Sequence, residues 1–443
     1  MIPSVAQCKT EFERSRRRRR SEPMQFSDIR WEALDRFLSL GFPTTRDEEW
    51  RFTSVAAMAE KIFTLAAEPA GGAHHVGLAP FRLRDVFGTE LVFVNGYYSP
   101  GASTPGDLPP GACAEPLAAI LDSSPGDVAA YLTRVAPFER HAFVALNTAL
   151  FADGACIVVP AHTVVEKPIH VQFISTGEAD MRPAMSHPRV LVVLDDASRA
   201  TIVESYAGPA GVQYFTNAVT EIVLGENAVL DHYKLQHEST EAYHITTTQV
   251  VAARNANCSA HSISLGGALV RNEVVVVLGG EDGTCALNGL YLADGRRLVD
   301  NHTTIDHVMR QARSRNVYKG ILADQARGVF DGKIFVGPDA QKTDTRQTGR
   351  ALLLSEDARI NSTAHLEILA SDITCMQRAA ARQLDEDAAF YIRSRGLGRS
   401  EARRLAIVAF ARDVLNRMSL RPLRSNLEEL LQPHLDRMLG SVV

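Results

Sequence analysis

Short apolar runs separated by turn residues dominate the chain from Phe143 to Cys375. Gly328-Val329-Phe330, Lys333-Ile334-Phe335-Val336, Ala351-Leu352-Leu353-Leu354 and Leu366-Glu367-Ile368-Leu369 are β-prone, and Gly, Asp and Asn punctuate them. No gap holds the ten or more residues of amphipathic pattern that a helical crossover between parallel strands needs. The chain therefore turns corner after corner without leaving its sheet, as a stacked β-solenoid does when each coil buries its apolar side on its neighbours. A loose repeat supports this. One or two turn residues, then Ala or Gly, then a strand recur at Asp195-Asp196-Ala197, Glu226-Asn227-Ala228, Asn255-Ala256-Asn257, Glu281-Asp282-Gly283 and Glu356-Asp357-Ala358.

The flanks read differently. Trp31, Leu34, Phe37 and Leu38 share a helical face that Gly41-Phe42-Pro43 ends, and residues 25–140 form a helical or mixed N-terminal region. Leu91-Val92-Phe93-Val94 is a strand, followed by the tight-turn dipeptide Asn95-Gly96. The solenoid spans 141–380, with Phe143 at its start and Asp153-Gly154 turning into the strand Cys156–Pro160. Residues 381–443 form a small helical domain. Acids at Asp385–Asp387, arginines at Arg393 and Arg395 and Gly396 beyond them suit one helix. Ser400 caps a second helix with Leu405, Val408, Ala411, Leu415 and Met418 on its apolar face. Ser425 and Glu428 form the capping box of a third, interrupted by Pro433.

Composition narrows the class. Charged residues make up 22% and the net charge is −5, so no global basic field points to nucleic acid. No apolar run is long enough for a membrane span. Six cysteines without a CxxC pair suit a reducing cytosol better than a disulfide framework. The basic run Arg16–Arg20 lacks the apolar segment of a signal peptide, so residues 1–24 read as a disordered tail, with Met24 as an alternative start.

Candidate chemistry is sparse. Glu48-Glu49 reads as a solvated face rather than a catalytic pair, and His74-His75 lacks companion ligands. His302 and Asp306 share a strand face that His307 does not, which favours a structural role. No phosphate-binding glycine loop occurs, so the chain itself is not expected to bind ATP.

The blocks YKGILADQARGVFDGKIFV (318–336), DAQKTDTRQT (339–348) and LLLSEDARINSTAHLEI (352–368) resemble the SufB/SufD family, scaffold proteins of the SUF iron–sulfur cluster assembly machine. Asp47–Thr53 resembles the EEW(K/R)-(Y/F)-T block of SufD members, and LNTALFADG (146–154) resembles the family's entry block. The resemblance implies a mainly β protein with a right-handed parallel β-helix core. It implies a non-enzymatic, cytoplasmic, SufD-like scaffold that pairs with a SufB-like subunit. FYIRSRGL resembles the region that docks the SufC-like ABC-type ATPase, which marks Phe390, Tyr391, Arg393, Arg395 and Gly396 as partner-binding.

One block departs from the pattern. Where SufD members read D-D-V-K-C-S-H-G-A-T-V-G, this chain has Ser371–Arg382. Cys375 is kept as a metal-ligand candidate, Gln377 stands at the His position, and Arg378 and Arg382 replace the glycines. Glutamine is a poor iron ligand. Arg378 would favour the Cys375 thiolate, and His365 is a substitute imidazole. The isolated chain is thus expected to hold no cofactor, with an iron–sulfur cluster present only transiently in the complex. A diverged paralogue that keeps only the interfaces is the alternative. A polysaccharide-active β-helix enzyme is a further one, which the missing export signal disfavours.

Overall fold

The computed structural model describes residues 3–19, 23–68, 83, 86–179, 182–383 and 398–440. Successive strands alternate between two facing sheets, and within each sheet the solenoid strands run parallel. One sheet contains Gly154–Val159, Arg189–Leu194, Phe215–Leu224, Tyr243–Ala252, Leu269–Leu278, Leu298–His307, Arg327–Val336 and Arg359–Ile368; we call it the first sheet. The second contains Thr89–Val94, Ile169–Ile174, Arg199–Ala207, Val229–His237, Asn257–Ser264, Thr284–Ala293, Arg313–Leu322, Thr343–Leu353 and Ile373–Gln383. The result is a β-solenoid of about seven turns, as the strand pattern predicts.

The recurring corner has a backbone cause. His162, Ala197, Asn227, Asn255, Asp282, Gln311 and Lys342 all adopt positive φ, one at each of the first seven passages from the first sheet to the second. A left-handed residue reverses the strand within a few positions, and short polar side chains tolerate that conformation best. Side chains stack along the corner as well, with Asn255 Nδ2 donating to Asn227 Oδ1 at 2.7 Å.

A hydrophobic core fills the space between the sheets, from Leu91 and Val171 through Ile222 and Val250 to Tyr318 and Phe330. Identical register stacks similar side chains. The rings of Phe93 and Phe173 lie 5.0 Å apart and those of Phe173 and Tyr206 5.2 Å apart on adjacent strands.

Several expectations are corrected. Residues 3–18 are not a disordered tail but helix α1 (Pro3–Arg18), with Val5, Cys8 and Phe12 buried at helical spacing. Phe143 lies in a helix, Ala142–Leu150, and solenoid strands flank it in sequence because Thr89–Val94 pairs with Ile169–Ile174. Asp331-Gly332 is no turn; it lies inside the strand Arg327–Val336, where a Cβ on Gly332 would overlap the Gln347 side chain. Asn95-Gly96 does form a hairpin turn, with φ of 57° and 82°.

Helices Arg399–Leu415 and Arg421–Gly440 cover the outer face of the second sheet. Ile407, Ala411, Val414 and Met418 pack with Leu292 and Ile321, whereas Leu405 is exposed, so the buried stripe is rotated from the expected one. The last helix starts at Arg421, which leaves Ser425 inside it rather than at its cap; Pro433 lies within it without ending it. No helix among the described residues is long and apolar enough to cross a membrane.

Candidate functional site

The solenoid ends on a coil that nothing covers among the described residues. Arg359–Ile368 pairs only with Arg327–Val336, and Ile373–Gln383 only with Thr343–Leu353. Each strand thus presents one row of backbone donors and acceptors without a neighbour. Leu366, Ile368, Leu369 and Met376 are exposed here.

Cys375 lies on this terminal coil. It sits in register with Thr345, which follows Ser314, Cys285 and Cys258 on the preceding strands. Thr345 is fully buried in the lumen and bonds Ser314 Oγ at 2.7 Å, so Cys375 continues an inward-facing column to the open end. Partial burial raises its thiol above the ordinary range. Arg378 does not lower it, because three positions along a strand place the two side chains on opposite faces. The expected activation of the thiol is therefore absent.

Gln377 continues a second column, after Asn316 and Gln347. Asn316 Nδ2 donates to Gln347 Oε1 at 3.0 Å, and Gln347 Nε2 donates to the Gly332 carbonyl at 3.2 Å. Gln377 thus extends a ladder of amides, although its own Nε2 is buried with no hydrogen-bond partner among the described residues. His365 is in register with Lys333 on the outer face of the first sheet and lies 3.7 Å from Asp331 Oδ2. It does not converge with Cys375.

The C-terminal helices are anchored by specific polar contacts. Ser419 N and Leu420 N donate to the Tyr233 hydroxyl at 3.1 and 3.2 Å, and Ser419 Oγ donates to Asp231 Oδ2 at 2.9 Å. Lys319 Nζ reaches Asp413 Oδ2 at 2.7 Å and the Phe410 carbonyl at 3.2 Å. Burial lowers the Lys319 pKa, and the Asp413 contact opposes that shift. Phe390, Tyr391, Arg393, Arg395 and Gly396 lie outside the described residues, as do His74 and His75.

The family description "SUF system FeS cluster assembly, SufBD core domain" matches residues 173–410, and "SufBD protein N-terminal region" matches 11–171. The chain is 33% identical over 405 residues to an iron–sulfur cluster assembly SufBD family protein of Synechocystis, covering 90% of this chain and 88% of that protein. It is 30% identical over 381 residues to the iron–sulfur cluster assembly protein SufD of Escherichia coli, covering 86% of each. It is also 30% identical over 427 residues to protein ABCI7, chloroplastic, of Arabidopsis thaliana, covering 95% of this chain and 89% of that protein. The two-sheet solenoid, its signature blocks and these matches agree: the chain belongs to the SufB/SufD family of iron–sulfur cluster assembly proteins and is SufD-like.

Proposed function

We propose that this protein is a non-enzymatic, cytoplasmic scaffold subunit that pairs with a SufB-like protein and binds a SufC-like ATPase. The uncovered terminal coil carries this reading. Two bare strand edges beside exposed Leu366, Ile368 and Met376 suit a partner solenoid that continues both sheets. Main-chain hydrogen bonds would supply affinity, and the apolar rim would fix register. The ATPase docks on the segment after Gln383, including Phe390, Tyr391, Arg393, Arg395 and Gly396.

Co-expression with a SufB-like and a SufC-like protein, followed by affinity isolation, tests both contacts. Leu366→Lys with Met376→Lys should release the SufB-like partner and leave the ATPase bound. Pairing that survives this double substitution would place the interface elsewhere. Arg393→Glu with Arg395→Glu should release the ATPase alone. Substitution is a cleaner test than truncation, because removing the helices would uncover the apolar face of Leu292 and Ile321.

A second reading, a paralogue that keeps the interfaces without a cluster site, is favoured by Gln377 in its amide ladder and by the raised thiol of Cys375. Anaerobic metal and sulfide analysis of the isolated complex separates the two. A cluster lost in Cys375→Ala supports participation; a cluster indifferent to it supports the paralogue. The isolated chain should bind no cluster in either case, since one thiol cannot complete the usual thiolate shell.

A further inference from the structure

Three segments far apart in sequence meet where the N-terminal region crosses the outer face of the first sheet. Glu49 stands on the short turn Glu48–Trp50, His141 immediately precedes the helix Ala142–Leu150, and Glu273 projects from the strand Leu269–Leu278. One ligand atom from each lies within 4.8 Å of the others. All three line a cavity of about 230 Å3, together with Asp47, Glu48 and Thr247.

The surrounding contacts fix Glu49, whereas Glu273 is reached only through space by the Lys333 ammonium. Lys333 Nζ donates to Glu49 Oε1 at 2.8 Å, and Arg271 Nη1 donates to the Glu49 carbonyl at 2.9 Å. The Arg271 guanidinium stacks over Trp50 at 3.9 Å, which seats the turn. Arg271 also pairs with buried Asp300 at 2.5 Å, so its charge is largely spent there. The Glu273 side chain is only 16% exposed, yet no hydrogen-bond donor among the described residues reaches it. His141 Nδ1 lies 3.8 Å from Glu273 Oε1. That separation is too long for a hydrogen bond. It does suit two ligands of one ion, since bonds of about 2.0–2.2 Å to nitrogen and oxygen allow separations up to about 4.3 Å.

Two carboxylates and an imidazole thus face one cavity, and the single ammonium of Lys333 is shared between Glu49 and Glu273, which leaves room for a further cation. Imidazole beside two carboxylates favours first-row transition ions over magnesium or calcium. We propose that Glu49, His141 and Glu273 bind one divalent first-row transition-metal ion, with water from the cavity completing its coordination. Lys333 occupies Glu49 Oε1 and competes with the ion for that carboxylate. The site lies on the outer face of the first sheet, apart from the inward-facing Cys375 column.

The test uses the full-length chain, freed of metal and titrated anaerobically with Co(II) and Mn(II). One equivalent of Co(II) should bind with a d–d absorption band, and magnesium in tenfold excess should not displace it. Bound Mn(II) should show electron-spin-echo coupling to a nitrogen, which His141→Gln removes. Glu273→Gln should weaken binding at least tenfold, Lys333→Met should tighten it, and Cys375→Ala should change neither affinity nor coupling. Failure to bind one equivalent below millimolar concentration would overturn the proposal. So would affinity that is unchanged in both Glu273→Gln and His141→Gln, or lost in Cys375→Ala. The nitrogen coupling is read on the unsubstituted chain, so it decides the question even if a variant misfolds.

Discussion

Replacing Arg189 with Met should detach the N-terminal region from the solenoid. Arg189 and Glu221 are both fully buried, with Arg189 Nη2 at 2.7 Å and Nε at 3.0 Å from Glu221 Oε2. The same guanidinium donates through Nη1 to Asn147 Oδ1 and Thr148 Oγ1 at 3.0 and 3.1 Å, which holds the helix Ala142–Leu150. Glu221 in turn accepts from the backbone N–H groups of Thr133, Val135 and Ala136 at 2.9 to 3.0 Å. Methionine roughly conserves volume, so the cost is electrostatic: a buried carboxylate loses its only guanidinium among the described contacts. Breaking such a pair costs about 3–5 kcal/mol, and the three remaining backbone donors place the expectation near the lower end, about 3 kcal/mol. A solenoid of this length need not unfold in one step, so a local measurement is required. Amide hydrogen exchange over residues 131–150 should accelerate by roughly a hundredfold, since each 1.4 kcal/mol is a factor of ten. Adding Glu221→Gln should recover part of the loss, because the leftover charge is then gone. Exchange within threefold of the unsubstituted protein, or no recovery in the double variant, would refute the reasoning.

Other consequences are equally open to measurement. Ala197 holds φ at 55° without a polar side chain to support the left-handed region; Ala197→Gly should raise the urea midpoint, worth up to about 1 kcal/mol, and a fall would contradict the strain argument. Tyr233→Phe removes the acceptor of Ser419 N and Leu420 N, so exchange at the start of the last helix should rise by about 1–3 kcal/mol of lost protection. Acid should weaken the fold. Burial depresses His187 to about 3 and His261, His307 and His434 to about 4. The unfolded chain then binds more protons between those values and about 6.5, so stability is full above about pH 6.5 and declines as pH falls toward 4. Urea midpoints measured from pH 7 to 4.5 should show that slope, and His187→Gln should make it shallower.

The strands were legible because their signal is local. Turn residues at Asp195–Ala197, Glu226–Ala228 and Asn255–Asn257 mark real corners, since a left-handed residue needs a narrow set of side chains. Local reading failed where charge masked periodicity: the arginine run drew attention away from Val5, Cys8 and Phe12, which pack α1 onto the N-terminal region. It also failed at Asp331-Gly332, where the glycine serves close packing against Gln347 rather than a bend. Cys375 and Gln377 stood out in the sequence, but their inward direction depends on the register with Thr345 and Gln347. Glu273 and His141 carried no local signal at all. Their meeting with Glu49 depends on a tertiary crossing, and only the acidic pair Glu48-Glu49 hinted at chemistry there.

The repeated in-register corner makes the molecule a ruler with discrete marks. Inserting one residue into Leu298–His307 would invert every side chain beyond it, sending Ile305 outward and His302 into the lumen. Inserting a whole coil of roughly thirty residues would leave each neighbour contact unchanged. Length can therefore change only in whole coils, each adding about 4.8 Å between the N-terminal seam at Glu273 and the open end at Cys375. Any partner that grips both places measures an integer.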